Sequence, residues 1–151
     1  MKSLKDSDEK IISGFKSFAE KEMFDLCRSI TGKGIKKSLN LIKKKFKKLS
    51  IYKIKSGSIA FDWKIPPEWN IKKAYILDRN KKKIIDFKNN NLHLVNYSIP
   101  INKILKRDEL LKKIYSLPAQ PNAIPYVTSY YKRDWGFCCN YNTKKKLLKD
   151  Y

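Results

Sequence analysis

The sequence predicts an α+β fold, with two N-terminal helices followed by a small mixed β-rich domain with one short helix. Apolar residues recur every three or four positions over residues 8–30 and again over 35–48, which indicates two amphipathic helices. After Ser50 the period changes to the alternation that is typical of strands. With 151 residues, of which 42% are hydrophobic, the chain is long and apolar enough to build a core.

The first predicted helix has Asp8 as a plausible N-cap, and Gly14 indicates that it begins properly only after that glycine. The segment 31–34 (TGKG) predicts a helix–helix connection with a glycine in a left-handed cap, because it lacks the spacing of a phosphate loop. The second helix has an apolar stripe and an opposite face of lysines. Such a helix could contact a membrane surface or nucleic acid, but an ordinary surface helix is the favoured interpretation.

The part after Ser50 predicts short strands and turns. The expected strands cover residues 50–55, 59–63, 73–77, 83–87 and 135–140. A short helix is expected over 108–117 and a short basic helix or a frayed tail over 143–149, whereas the proline-punctuated segment 118–133 predicts irregular structure.

The composition is strongly basic, with 35 Lys and Arg against 14 Asp and Glu and a formal net charge of +21. Nearly all of these basic residues are lysines, which are poorer readers of base edges than arginines. The sequence therefore argues against a dedicated nucleic-acid-binding role. A basic binding module for nucleic acid or an acidic partner remains the alternative function.

Histidine and cysteine are scarce. The single histidine, His93, has no neighbouring ligand set, so metal-dependent or histidine-based hydrolysis by this chain alone is excluded. The adjacent Cys138 and Cys139 predict small buried side chains. The polar N-terminus and the absence of a long apolar run predict a cytoplasmic protein without a signal peptide or a membrane span.

Aromatic residues concentrate near the C-terminus. They are Tyr126, Tyr130, Tyr131, Trp135 and Phe137, with Lys132 and Arg133 between them. Core packing is the first interpretation of this cluster, a wall of a ligand pocket the second, and a stacking platform for single-stranded nucleic acid the third.

An ordered set of short strings resembles one bacterial family. The strings are 26–32 (LCRSITG), 61–63 (FDW), 68–71 (EWNI), 84–87 (IIDF), 91–94 (NLHL), 124–126 (IPY), 129–132 (SYYK) and 135–138 (WGFC). Together they resemble the front part of a zinc-aminopeptidase-like family, in which an aminopeptidase-like domain is interrupted by a small domain of unknown function. The resemblance extends over nearly the whole chain.

The resemblance implies three parts: residues 1–50 as the leading helices of the peptidase-like domain, 51–140 as the inserted β-rich domain, and 141–151 as the return to the peptidase-like domain. The family's zinc ligands lie in a later segment, so this chain is expected to hold no catalytic residue, no metal ligand and no cofactor of its own. Zinc and a peptide-like substrate belong to the parent protein alone.

The predicted function is therefore that of an N-terminal fragment of a zinc aminopeptidase-like protein, inactive alone, with an inactive folded remnant as a further alternative. Its expected partner is the missing C-terminal peptidase-like part or, failing that, a second copy of itself. In the parent, Tyr130, Tyr131, Arg133 and Trp135 would form part of a substrate-facing wall. His93 belongs to the same candidates, although a structural hydrogen bond is favoured for it over a metal.

Overall fold

A computed structural model describes residues 6–150 of the protein. The chain divides into two compact units, which we call the helical unit, up to Asn70, and the mixed unit, from Ile71 onward. The helical unit contains two α-helices and one small hairpin, while the mixed unit combines short strands with helices. The predicted α+β class is confirmed. The predicted division at residues 50 and 140 concerns the relation to a larger protein and stays a prediction.

The first helix of the helical unit, α1, is Asp6–Phe18, and it continues as one π-helical segment, Ala19–Met23. The prediction that the helix begins properly only after Gly14 was wrong, and Asp8 lies inside the helix rather than at its N-cap. The predicted end at residue 30 was also wrong, since the helical segment ends at Met23. The guanidinium of Arg28 donates to the carbonyl of Met23 at 2.8 Å and so satisfies a carbonyl at the helix end.

The second helix, α2, is Lys33–Lys45, close to the predicted range of 35–48. Gly32 precedes it with φ of 107°, and a Cβ there would collide with the carbonyl oxygen of Trp69. The amide of Lys33 donates to the side-chain oxygen of Asn70 at 2.8 Å, so a distant residue caps the helix. The left-handed glycine was predicted correctly, but it opens α2 instead of closing α1.

A small hairpin ends the helical unit. Its strands β1, Ile59–Ala60, and β2, Trp63–Lys64, are antiparallel. The prediction of one strand over 59–63 was wrong, because the chain reverses at Phe61, where φ is 57°. The segment 50–55 forms no strand either, since its alternating side chains have no partner strand among the described residues.

The helical unit lacks a closed hydrophobic core. Within its described part, no Ile, Leu, Met or aromatic side chain is buried, and the buried residues are Gly32, Ser38 and Pro66. Large apolar side chains on its helices and connections are instead 51–62% exposed. These side chains are Ile11, Ile12, Phe15, Phe24, Ile30 and Phe46.

The mixed unit begins with the hairpin of β3, Tyr75–Leu77, and β4, Lys83–Asp86, at the predicted position. Ile76 pairs with Ile85, so both face the core. The side chain of Asp78 accepts the amide of Lys82 at 2.8 Å, which fixes the turn.

The rest of the mixed unit is built around a parallel pair of two-residue strands. Its elements are a 3-10 turn, Asn91–His93, the helix α3, Arg107–Leu111, the strands β5, Ile114–Tyr115, and β6, Phe137–Cys138, and the helix α4, Tyr141–Asp150. The predicted helix over 108–117 was too long, because Ile114 leaves helical geometry to pair with Phe137. The buried strand near 135–140, the irregular segment 118–133 and the last helix are confirmed.

One hydrophobic cluster holds the mixed unit together. Its buried members are Ile76, Ile85, Ile114, Phe137, Cys139 and Leu147. Cys138 and Cys139 are both fully buried, which confirms their prediction as small core residues. No helix within residues 6–150 is long and apolar enough to cross a membrane.

Shortening a core side chain tests this placement. The Ile114→Ala substitution should lower the free energy of unfolding by about 2–5 kcal/mol, because it leaves a cavity in the closed cluster. The matched change Ile12→Ala, at a position that is 54% exposed, should lower it by less than about 1 kcal/mol. Denaturation in urea measures both values, and equal losses would contradict the assignment of the core.

Candidate functional site

The predicted substrate-facing residues lie in the mixed unit, on the segment that leads into β6. Tyr130 makes edge-to-face contacts on both sides, with ring centroids 5.0 Å from Tyr97 and 4.7 Å from Tyr131. Such aromatic pairs contribute about 0.5–1.5 kcal/mol beyond the area that they bury. We call these three residues the tyrosine cluster. Tyr131 is 93% exposed, so the cluster ends in an aromatic ring open to solvent.

The backbone beneath the tyrosine cluster is fixed by hydrogen bonds between two irregular segments. The amide of Asn96 donates to the carbonyl of Val127 at 2.9 Å, and the amide of Ser129 donates to the carbonyl of Asn96 at 2.9 Å. Tyr97 adopts φ of 62°, a left-handed conformation that is rare for an aromatic residue. The bonds at Asn96 hold the chain in this conformation and set the direction of the tyrosine ring.

Trp135 lies at the edge of the hydrophobic core, against which it packs. The ammonium of Lys113 lies 5.6 Å from the centroid of its ring, within the range of a cation–π interaction. Arg133 is exposed on the same segment. The structure thus gathers Tyr130 and Tyr131 into one cluster and seats Trp135 against the core instead.

Asp134 organises this region, although no sequence pattern distinguishes it from the other scattered carboxylates. Its side chain accepts the ammonium of Lys113 at 2.6 Å and the amide of Trp135 at 2.8 Å. Its carbonyl accepts the amide of Ile99 at 3.0 Å. The hydrogen bond from Lys113, followed by that from the Trp135 amide, holds the pKa of Asp134 below its usual value.

His93 makes a structural contact, as the sequence favoured. Its Nδ1 lies 2.8 Å from the carbonyl oxygen of Cys138, so Nδ1 carries the proton and donates. The Cys138 and Cys139 thiols are not available as nucleophiles, because burial raises their pKa values to about 12 and about 11. The hydrogen bond from His93 to the carbonyl of Cys138 ties the 3-10 turn to β6.

A buried amide was also missed by sequence reasoning. Asn96 is 7% exposed, and its side-chain oxygen has no hydrogen-bond partner within the described part of the chain. A buried acceptor of this kind is normally satisfied, so a water molecule or a polar group is expected next to it. No local sequence signal distinguishes this asparagine from the many others.

The residues present do not fit a zinc ion. Within residues 6–150, no three or more His, Cys, Asp or Glu side chains come close enough together to hold a metal. His93 and Asp134 are each engaged in the structural hydrogen bonds described above. The exposed aromatic ring of Tyr131 offers a binding contact in this region.

Comparison with known proteins finds two longer relatives from Clostridium acetobutylicum. A Clostridium acetobutylicum protein named "Putative polysaccharide biosynthesis protein with aminopeptidase-like domain" is 46% identical over 129 residues, which are 85% of this chain and 30% of the relative. A crystal structure of a "putative peptidase" from Clostridium acetobutylicum superimposes with a TM-score of 0.81 at 41% identity, covering 92% of this chain and 34% of that one. This chain therefore spans about a third of the length of these relatives.

Residues 68–151 match the family model described as a domain of unknown function, DUF2172, and the chain belongs to that family. The match begins close to Asn70, where the helical unit ends. The predicted resemblance to an aminopeptidase-like family is confirmed by the names of these relatives. Both relatives extend well beyond the part that this chain matches.

The ion pair of Asp134 predicts a specific response to acid. Because the folded-state pKa of Asp134 is lowered, its stabilising effect is fully present above the unfolded pKa of about 3.9 and is lost as the pH falls through that value towards the lower folded one. The Asp134→Asn variant should lose this part of the acid dependence of stability. Thermal unfolding between pH 2 and pH 7, followed by circular dichroism, measures the effect.

The control for this experiment is Asp108→Asn, which removes a carboxylate whose side chain is 82% exposed and 3.5 Å from Arg107. It should leave the acid dependence almost unchanged, since exposed pairs contribute little. If both variants flatten the profile equally, Asp134 has no special role in the fold.

Proposed function

We propose that this chain is the N-terminal part of a zinc-dependent aminopeptidase-like protein, and that it supports peptide hydrolysis without carrying the catalytic groups. Two observations together support this proposal. The chain matches about a third of two longer relatives, and its helical unit lacks a closed core. Half-exposed apolar helices are what remains when a covering layer belongs to another part of a protein.

The exposed apolar surface that another part of the protein would cover lies on α1 and at the end of α2. Ile11 and Phe15 follow one another at helical spacing on α1, and the ring of Phe46 stacks on that of Phe15 with centroids 6.4 Å apart. All three are between 51% and 57% exposed. We call them the apolar face, and we propose that the peptidase-like part packs on it and contributes the zinc ligands.

The mixed unit has a different part in this proposal. The tyrosine cluster, with Arg133 and Trp135 on the same segment, would form one wall of the cleft in which the peptide lies. Exposed rings such as Tyr131 contact apolar side chains of a substrate, and a guanidinium such as that of Arg133 pairs with a carboxylate. His93 would support this wall through its bond to Cys138.

We also propose a cytoplasmic location. The three cysteines, Cys27, Cys138 and Cys139, are free thiols, which persist in a reducing compartment. Secreted proteins more often carry disulfides, and none links these three cysteines.

The apolar face predicts self-association when the chain is expressed alone. Sedimentation velocity at moderate salt should show dimers or larger species, because burying the apolar face removes it from water. The double variant Ile11→Gln, Phe15→Gln should shift the population towards monomer. A wild-type chain that stays monomeric at high concentration would contradict the exposure of this face.

The matched control replaces two exposed apolar residues that do not belong to the apolar face, Tyr52→Gln with Ile104→Gln, which are 86% and 101% exposed. It should leave the oligomer distribution unchanged, which separates a specific surface from general hydrophobicity.

Reconstitution tests the enzymatic part of the proposal. The chain should bind the complementary two-thirds of the 46% identical Clostridium acetobutylicum protein, and the complex should hydrolyse aminoacyl p-nitroanilides in a zinc-dependent manner. The chain alone should neither hydrolyse them nor bind zinc tightly. In the complex, Tyr131→Ala should lower kcat/KM by about tenfold, since it removes one aromatic contact of about 1.4 kcal/mol.

Two results would contradict this proposal. Stoichiometric, tight zinc binding by the isolated chain would show that the ligands are present here, and failure of the two parts to associate would show that the apolar face serves another partner. An unchanged kcat/KM for Tyr131→Ala, with the complex intact, would remove the substrate-facing role of the tyrosine cluster alone.

A further inference from the structure

The β1–β2 hairpin of the helical unit ends in an aromatic residue that solvent surrounds completely. Ala60 pairs with Trp63, so Phe61 and Asp62 form the two-residue turn between the strands. Phe61 is 100% exposed, and Asp62 beside it is exposed as well. We call Phe61 and Asp62 the hairpin tip. A single exposed apolar ring is common on protein surfaces and would mean little on its own.

The backbone at Phe61 gives this exposure a meaning. Its φ of 57° lies in the left-handed region, which is unfavourable for a bulky side chain. Two-residue hairpin turns need such a positive φ at their first position, and glycine, asparagine or aspartate normally occupies it. Folding alone therefore favours one of those residues over phenylalanine. Because Phe61 is strained and its ring is not buried, the residue does not stabilise the hairpin, and strain of this kind clusters at functional sites.

Hydrogen bonds at the base of the hairpin hold the tip in place. The amide of Gly57 donates to the carbonyl of Ile65 at 2.8 Å, and the amide of Ile65 donates to the carbonyl of Ser58 at 2.9 Å. The ring of Phe61 is therefore presented by a closed hairpin rather than by a free loop. A side chain that is presented in this way loses less conformational entropy when a partner buries it.

The charge next to Phe61 narrows the class of partner. Asp62 is the only acidic residue between Asp25 and Glu68, a stretch that contains twelve Lys and Arg. Its carboxylate takes part in none of the ion pairs found among residues 6–150. Nucleic acid and an anionic lipid surface would both repel this carboxylate. The tip instead fits an apolar protein pocket that has a hydrogen-bond donor or a positive charge at its rim.

A second copy of the chain is a poor source of such a pocket. The grooves along α2 are lined mainly by lysines, which are Lys33, Lys36, Lys37, Lys43, Lys44 and Lys47. Among the described residues that line these grooves, Leu41 alone is apolar, so they attract Asp62 but offer no floor for the ring of Phe61. The two longer relatives, in contrast, extend well beyond the third that this chain matches.

We propose that Phe61 inserts into an apolar pocket of the peptidase-like part, with Asp62 paired to a donor at the rim of that pocket. The contact rests on the proposed function, because its partner is the part that would also cover the apolar face, and it adds a second contact point. Burial of the ring in the assembled protein offsets the strain at Phe61. The isolated chain bears this strain without that compensation.

Thiol protection tests the contact in a full-length protein. In a chimera, this chain replaces the matched third of the 46% identical Clostridium acetobutylicum protein. With Phe61→Cys, the added thiol should react with N-ethylmaleimide at least about tenfold more slowly in the chimera than in the isolated chain, because the pocket excludes the reagent. Subtracting the rate of each protein without the added cysteine removes the contribution of its native thiols.

The matched control is Tyr52→Cys, at an aromatic residue of the same unit that is 86% exposed and has no left-handed backbone. Its thiol should react at rates within about threefold of each other in the two proteins. Equal protection at Tyr52 and Phe61 would mean that the helical unit is covered as a whole, and that the tip has no pocket of its own.

A third position separates failure of this contact from failure of the proposed function. Ile11→Cys reports on the apolar face. If Ile11→Cys is protected in the chimera while Phe61→Cys reacts as fast as in the isolated chain, the insertion of Phe61 alone is overturned. Fast reaction at both positions would overturn the proposed function as well, because the peptidase-like part would then cover neither surface.

Thermal unfolding of the isolated chain gives an independent readout of the strain. Phe61→Gly should leave the melting temperature unchanged or raise it, since glycine adopts a positive φ freely and no buried contact is lost. A clear fall would show that Phe61 supports the fold itself. Co-sedimentation of the wild-type chain with phosphatidylglycerol vesicles that is lost in Phe61→Gly would identify a lipid surface as the occupant instead.

Discussion

The mixed unit depends on the parallel pairing of β5 with β6. The amide of Phe137 donates to the carbonyl of Lys113 at 2.8 Å, and the amide of Cys139 donates to that of Tyr115 at 3.1 Å. These bonds bring Ile114 and Phe137 together in the core. Because Lys113 and Asp134 flank the paired strands, the same pairing also positions their ion pair, and His93 attaches to it through Cys138.

The local parts of this fold could be predicted from the sequence, whereas the parallel pair could not. The hairpin of β3 and β4 follows from alternation on either side of Asp78, whose side chain closes the turn. Ile114 continues the helical spacing of Leu110 and Leu111, so periodicity extended the helix too far. Its strand geometry comes from Phe137, which is distant in sequence, and non-local pairing overrides a weak local preference.

The candidate site divides in the same way. Aromatic enrichment was sufficient to single out Tyr130 and Tyr131, because composition is visible in the sequence. The importance of Asp134 depends on an ion pair across 21 positions, and that of Asn96 depends on burial. Neither property has a local signature, since both arise only when the irregular segments fold onto β6.

The charge of this basic chain limits which partner can cover the apolar face. Burying that face against a second copy would bring two highly charged molecules together, since each has a net charge of +21. Added salt screens that repulsion and favours self-association. A partner that covers the apolar face without adding positive charge avoids the repulsion altogether. The charge therefore favours a different protein part over a second copy as the natural cover.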